Sequence, residues 1–239
     1  MKIVVFTGAG VSKESGIDTF RDSDGTWEKH SVKDVATPDG WKKDRELVLD
    51  FYNARRNQLS EIEPNEAHKL LAELEKEHDV TIITQNVDDL HERAGSTKVL
   101  HLHGELTKAQ SSLDNKLVYH VGYEPTKIGD KCDKGSQLRP HVVWFGEYPN
   151  NIHEAYDVIS ECDVLLIIGT TLFIEYTTQM LGSVRSLHNS NMGVADVYFI
   201  DPNPTTILDH RVKNIKYIKE SATVGVKKFI EELNELVGQ

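Results

Sequence analysis

Six short apolar runs punctuate the chain, near residues 3, 81, 99, 142, 164 and 197, and stretches of helical character lie between them. Ile3-Val4-Val5-Phe6, Val80-Thr81-Ile82-Ile83 and Val164-Leu165-Leu166-Ile167-Ile168 are rich in β-branched residues and too short for helices, so each reads as a buried strand. Buried strands that alternate with helices imply an α/β fold: a doubly wound, mainly parallel, Rossmann-like sheet. In such a sheet ligands bind beyond the carboxyl ends of the strands, so the residues that follow each run are the ones to search for chemistry. The chain has 239 residues, of which 38% are hydrophobic, enough for a sizeable core without covalent staples.

Charge and composition exclude several classes. A formal net charge of −11 argues against a general nucleic-acid or anionic-membrane surface and leaves a basic peptide open as a partner. Two cysteines, Cys132 and Cys162, make no disulfide framework and fit a reducing compartment. No apolar run approaches the length of a membrane span. Met1-Lys2 leads straight into the first strand and leaves no room for a signal peptide, so a cytoplasmic protein is expected. It is expected to be a monomer.

The first strand runs into Gly8-Ala9-Gly10-Val11-Ser12-Lys13-Glu14-Ser15-Gly16. A strand, a Gly-rich turn and then a helix form the geometry that lays phosphates on a helix N-terminus. Gly16 comes too late for the G-x-G-x-x-G fingerprint, and a tight turn without a ligand needs the same glycines. Residues 17–27 are polar with isolated large rings, which suits a loop that folds over a ligand or a surface loop anchored by Phe20 and Trp27. Gln85, Asn86 and Asp88 follow the second strand, and Asp88 to Ala94 reads as a short helix stopped by Gly95. Asn86 and Asp88 either serve a ligand or merely cap that helix. A further strand begins at Val99-Leu100 and closes at His103-Gly104. Its histidines, His101 and His103, are open to a plain reading as one exposed and one satisfied core residue.

Gly8-Ala9-Gly10-x-Ser12-x-Glu14-Ser15-Gly16-Ile17 with Phe20-Arg21, then Thr84-Gln85-Asn86-Val87-Asp88, then His103-Gly104-Glu105, resemble the sirtuin family. These are the NAD-dependent protein lysine deacylases, and the match is to the sirtuin-5-like, bacterial class. The motifs stand in the family's order over nearly the whole chain. The resemblance implies a large NAD-binding domain at about residues 1–20, 63–104 and 140–239. It also implies a smaller, discontinuous domain at about 21–62 and 105–139, with NAD and acyl-lysine meeting in the cleft between them. Implied NAD contacts are Gly8, Ala9, Gly10, Val11, Ser12, Glu14, Ser15, Phe20, Arg21, Trp27, Gln85, Asn86, Val87 and Asp88. Gly169-Thr170-Thr171 matches the family's Gly-Thr-Ser loop, whereas Ile174-Glu175-Tyr176-Thr177 departs from the usual Val-x-Pro-Ala. The strand at Val197 to Ile200 ends in Asp201-Pro202-Asn203, where Asp201 replaces a common Asn and still accepts from ribose hydroxyls. Ala222, after Ser221, looks like the loop beside adenine.

The implied chemistry is attack of the acyl oxygen on C1′ as the nicotinamide bond breaks, with positive charge developing on the ribose. Asn86 and Asp88 would orient ribose and nicotinamide, and His103, in the family's His-Gly place, would be the general base. Tyr52 and Arg55 are three apart on a helix that spans about Asp44 to Leu59, so they share a face. A Tyr-x-x-Arg at this place looks like the pocket that receives the carboxylate of succinyl- or malonyl-lysine. The plain alternative is a core tyrosine and a solvated arginine. Val143, Phe145, Gly146 and Glu147 look like the strand edge to which the substrate peptide pairs. His68, on the helix that opens at Pro64-Asn65, is expected to be structural.

Many sirtuins hold a structural zinc between residues equivalent to 106–138, using paired cysteines. Here only Cys132 falls in that segment, with Ser111-Ser112 near the place of the first pair, so no zinc is expected. Leu113, Leu117, Val118, Tyr119 and Ile128 are expected to hold the module by apolar contact. NAD is then the sole expected co-substrate, and acylated lysines of other proteins are the expected partners, with no nucleic acid and no membrane. Outside this reading stand an NAD glycohydrolase or ADP-ribosyltransferase using the same pocket, and a non-catalytic NAD-sensing module.

Overall fold

The computed structural model describes residues 1–17, 31–184 and 194–237. In chain order, β1 (Lys2–Thr7) is followed by α1 (Val32–Val35), α2 (Pro38–Lys43), α3 (Arg45–Ser60) and α4 (Glu66–Leu74). Then come β2 (Asp79–Thr84), α5 (Leu90–Ala94), β3 (Val99–His101), β4 (Gly104–Ser111), β5 (Val118–His120) and β6 (Leu138–Val142). The chain closes with α6 (Ile152–Glu161), β7 (Val164–Ile168), α7 (Glu175–Leu181), β8 (Asp196–Ile200), β9 (Lys216–Ile218) and α8 (Ala222–Val237).

Six strands form one parallel sheet in the order β3-β2-β1-β7-β8-β9. Alternate side chains of each strand enter different cores. Ile3 and Val5 of β1 join Ala67 and Leu71 of α4 and Phe229 of α8 on one face. Val4 and Phe6 join Ile159 of α6 and Met180 of α7 on the other. Helices thus cover both faces, as the continuous apolar runs require. The register levels the strand ends: Thr7 pairs with Thr84 on one side and Ile168 on the other, Thr84 with His101, and Ile168 with Ile200. Side chains that follow these strands are therefore delivered to a single edge.

A second, three-stranded antiparallel sheet has the order β5-β4-β6. Its core unites Leu106 and Val142 with Trp144 and with Val35, Trp41 and Val48 from the short helices. The apolar run near residue 142 therefore belongs here as β6, not in the parallel sheet where the sequence places it. Gly104 explains the switch. Its φ is +81°, and a Cβ there would stand 2.0 Å from the His141 carbonyl oxygen, so the chain turns sharply and β4 lies against β6. The sixth parallel strand is β9, a three-residue strand of which only Ile218 is buried and which carries no apolar run.

The small sheet also corrects the expected apolar packing. Leu113, Ile128 and Val118 are exposed, Leu113 by 87%, and Leu117 and Tyr119 are half-buried. Hydrogen bonds hold the module instead. Ser111 Oγ lies 2.7 Å from Ser136 Oγ, which lies 3.1 Å from Cys132 Sγ. The Tyr119 hydroxyl donates to Asp133 at 3.0 Å. Arg56, fully buried, donates from Nε to the Leu106 carbonyl at 2.7 Å and from Nη1 to the Glu124 carbonyl at 2.8 Å. Asn53 both donates to and accepts from the Thr126 backbone at 2.9 Å.

Candidate active site

The levelled edge begins with the glycine loop. The expected helix after it is two three-residue 3-10 turns, Ala9–Val11 and Lys13–Ser15, ended by Gly16 at φ +93°. No long helix N-terminus lies among the described residues of this loop, so the phosphate geometry inferred from sequence does not arise in that form. The glycines serve a close approach between two loops. The Gly8 N–H donates to the Ile168 carbonyl at 3.0 Å and the Gly10 N–H to the Gly169 carbonyl at 2.9 Å. A Cβ on Gly10 would stand 2.6 Å from Gly169 Cα, and one on Gly169 2.6 Å from Gly10 Cα. Gly169 also has φ +58°, which favours glycine.

Beneath the loop lies a buried polar knot. Ser12 Oγ donates to Asp88 Oδ2 at 3.0 Å and accepts from Asn86 Nδ2 at 3.0 Å. Asp88 Oδ1 accepts the Leu90 N–H at 3.2 Å, so the capping and ligand readings of Asp88 are compatible. Burial pushes the Asp88 carboxyl upward, against the Leu90 and Ser12 donors. The Asn86 N–H donates to Thr84 Oγ1, which accepts in turn from Thr7 Oγ1. Asn65, unforeseen in the sequence except as a helix start, fixes the loop from α4: its Nδ2 reaches the Val11 carbonyl at 2.8 Å and Ser15 Oγ at 3.0 Å.

The two histidines separate clearly. His101 Nδ1 faces the Asn86 carbonyl at 3.1 Å and Nε2 faces Glu92 at 2.7 Å. Burial alone would lower its pKa, but the hydrogen bond and charge of Glu92 outweigh it and raise it. Glu105 completes this acid–imidazole group and is itself paired with Lys108 at 2.6 Å. His101 is thus engaged at both nitrogens. His103 Nδ1 lies 2.7 Å from the Gln85 carbonyl, and its Nε2 lies 2.6 Å from the Tyr176 hydroxyl. Burial lowers its pKa, opposed by that carbonyl. The Gln85 side chain accepts from Thr170 Oγ1 at 2.8 Å, linking β2 to the loop after β7.

Ala9 and Val87 are half-buried beside the knot, Val11 is buried, and Thr171 is exposed. The Glu14 carboxylate accepts from the Thr223 N–H and hydroxyl and from Ser221, so it caps the start of α8, where Ala222 is buried. Asp201 Oδ1 accepts the Asn203 N–H at 2.8 Å in the turn after β8, with Pro202 and Asn203 exposed. Phe20, Arg21 and Trp27 lie outside the described residues.

Tyr52 is 1% exposed, and its hydroxyl accepts from Trp144 Nε1 at 3.1 Å, leaving its own proton for another acceptor. Burial pushes its pKa up to about 12. Arg55, half-buried, has its pKa lowered by burial and is acted on in the opposite sense by Tyr52 and Asp88, so α3 brings this guanidinium within electrostatic reach of the knot. The Val143 N–H donates to the His103 carbonyl at 2.9 Å, and the Phe145 N–H to the Ala36 carbonyl at 3.0 Å, fixing this edge beside the site. Phe145 is 56% exposed, and Gly146 has φ +91°. Glu147 locks the turn, accepting from Arg139 at 2.7 Å and from the Trp144 N–H at 2.9 Å.

The Sir2 family model matches residues 8–175. An NAD-dependent protein deacylase of Bacteroides thetaiotaomicron is 48% identical, over 98% of this chain and 97% of that protein. A mutant Sir2 homologue solved with ADP-ribose superposes with a TM-score of 0.84 at 33% identity, covering 99% of this chain and 93% of its own. A Sir2 homologue solved with NAD gives 0.81 at 32% identity, covering 98% and 90%. With the family's glycine loop, its Gln-Asn-Val-Asp strand end and its His-Gly turn all meeting at one sheet edge, this chain belongs to the Sir2 family.

Proposed function

We propose that this chain is an NAD-dependent protein lysine deacylase that removes acetyl groups and the acidic succinyl and malonyl groups. The observation that carries this reading is the Ser12–Asn86–Asp88 knot and His103 standing together where β1, β2 and β3 end. The donors and acceptors there suit NAD: an amide and a carboxylate for ribose and nicotinamide, Asp201 for ribose hydroxyls, and the buried Ala222 beside adenine. Bound NAD supplies the nicotinamide–ribose bond that breaks. Asn86 and Asp88 orient that part of it, held by Ser12. His103 keeps its Nδ1 proton on the Gln85 carbonyl and takes a ribose hydroxyl proton at Nε2, a task suited to a neutral imidazole. The peptide pairs along Val143 to Glu147. Tyr52 and Arg55 receive the acyl end, and the cleft between the two sheets is where lysine and NAD meet.

Products are free lysine, nicotinamide and O-acyl-ADP-ribose. The place of work in this reading is the cytoplasm, since Cys132 and Cys162 form no disulfide with each other and fit a reducing compartment. No described helix is long and apolar enough to cross a membrane. The test is incubation with NAD and acetyl- or succinyl-lysine peptide. Peptide-dependent nicotinamide release is expected. Peptide-independent release would make the protein a glycohydrolase, and no release an NAD-binding module.

A further inference from the structure

Tyr176 stands where the family pattern carries proline, and its side chain enters the site. It lies in the first turn of α7, and its hydroxyl oxygen is 2.6 Å from His103 Nε2, with the two rings edge to face at 89°. The direction of this bond follows from the other nitrogen. The Gln85 carbonyl can only accept, so Nδ1 carries the proton, and in the neutral ring Nε2 holds the lone pair. Tyr176 therefore donates its O–H to the atom with which a general base must work. The Gln85 amide faces the same hydroxyl, while its oxygen is held by Thr170. Burial raises the tyrosine pKa, so the group stays a neutral donor.

We propose that Tyr176 caps the base: its hydroxyl occupies His103 Nε2 in the resting protein, and a ribose hydroxyl of the co-substrate must displace it. This rests on the assignment of His103 as base. It makes Tyr176 a positioning residue rather than a catalytic one. The Gln85 carbonyl holds the imidazole in the tautomer needed for the reaction, and release of the cap couples an uncovered base to NAD in place. Its cost is part of NAD affinity, since one hydrogen bond must be exchanged for another before the sugar reaches Nε2.

The experiment compares wild type with Tyr176→Phe, which keeps the ring and removes the hydroxyl, and with Tyr176→Leu, which removes both. Calorimetric titration with NAD should give a Kd two- to tenfold lower in both variants, the size expected for one net hydrogen bond of about 1 kcal/mol. In 15N-histidine NMR at neutral pH, the His103 Nε2 resonance of the free variants should move toward that of an unbonded acceptor nitrogen, with Nδ1 still protonated. In turnover, the gain should fall in KM for NAD. Unchanged Kd and unchanged Nε2 resonance would overturn the cap. Weaker NAD binding, or a kcat reduced a hundredfold, would overturn it in favour of a supporting or proton-relaying tyrosine. If none of the three proteins releases nicotinamide with peptide, the deacylase reading fails while binding and NMR still decide the cap.

Discussion

His103 is defined by its two neighbours, a carbonyl that fixes the proton on Nδ1 and a hydroxyl on Nε2. His103→Ala should abolish deacylation and leave NAD binding largely intact, because loss of a general base costs ~10²–10⁴-fold in rate rather than ground-state affinity. Near-wild-type turnover in single-turnover assays would remove the residue from its role. Arg55 carries a different claim. A succinyl or malonyl carboxylate that leaves water requires a charged or hydrogen-bonding partner. A guanidinium half-buried one helical turn from the Tyr52 hydroxyl offers both. Arg55→Met should therefore lower kcat/KM for a succinyl-lysine peptide ~10-fold or more, as for a charged hydrogen bond of roughly 1.5–3 kcal/mol. Acetyl-lysine presents no carboxylate and should suffer much less. Equal losses on both peptides would make Arg55 a residue of α3 packing only.

Among the elements, α4 shows how a site is braced from outside. Asn65 caps it, accepting the Ala67 N–H at 2.9 Å, while His68 Nδ1 accepts the Asn65 N–H at 3.3 Å. The same asparagine ties down the glycine loop. His68 is fully buried against His91, their rings 4.8 Å apart, and burial lowers the His68 pKa to about 4, against a smaller opposing effect of Glu92. The folded pKa lies below the unfolded value of about 6.5, so the unfolded chain binds the proton first as pH falls. The contribution is fully present above that value and is lost as pH drops toward 4, approaching roughly 3 kcal/mol at about 1.4 kcal/mol per pKa unit. Denaturant midpoints should fall across this window in wild type and fall less in His68→Gln, whose amide keeps the capping-box acceptor. Parallel slopes would show that His68 is not the group responsible. β1, β2, β7 and β8 were legible because buried parallel strands write continuous apolar runs. β9 and the sheet membership of β6 were not, because a three-residue strand and a polar edge strand take their place from tertiary partners rather than from their own pattern.

Across the whole molecule, the motifs were legible as residues but not as contacts. Sequence could place Asn86, Asp88 and His103 at strand ends, yet Asn65, Tyr176 and the pairing of His101 with Glu92 depend on which elements the fold brings together. Gly8, Gly10 and Gly169 read as ligand glycines, and the loop-to-loop approach across β1 and β7 also requires them. The small sheet shows the same limit in its energetics. Leu113 and Ile128, expected to pack it, are exposed, so beyond its Leu106–Val142–Trp144 core it is held by backbone ladders and a polar web. Ser111, Ser136 and Cys132 meet near where paired cysteines hold zinc in many relatives, and Arg56 stitches α3 to β4 and to the 124–126 segment. A tetrahedral zinc needs four thiolate or imidazole ligands, and one thiol with two hydroxyls does not make that set. Where a structural zinc supplies folding energy, removing it unfolds the domain. Here EDTA should leave the thermal transition where it was, and Ser136→Ala should lower stability by about 1 kcal/mol through the lost hydrogen bonds. Stoichiometric zinc in the purified protein, with melting on chelation, would show that the web is scaffolding around a metal rather than its replacement.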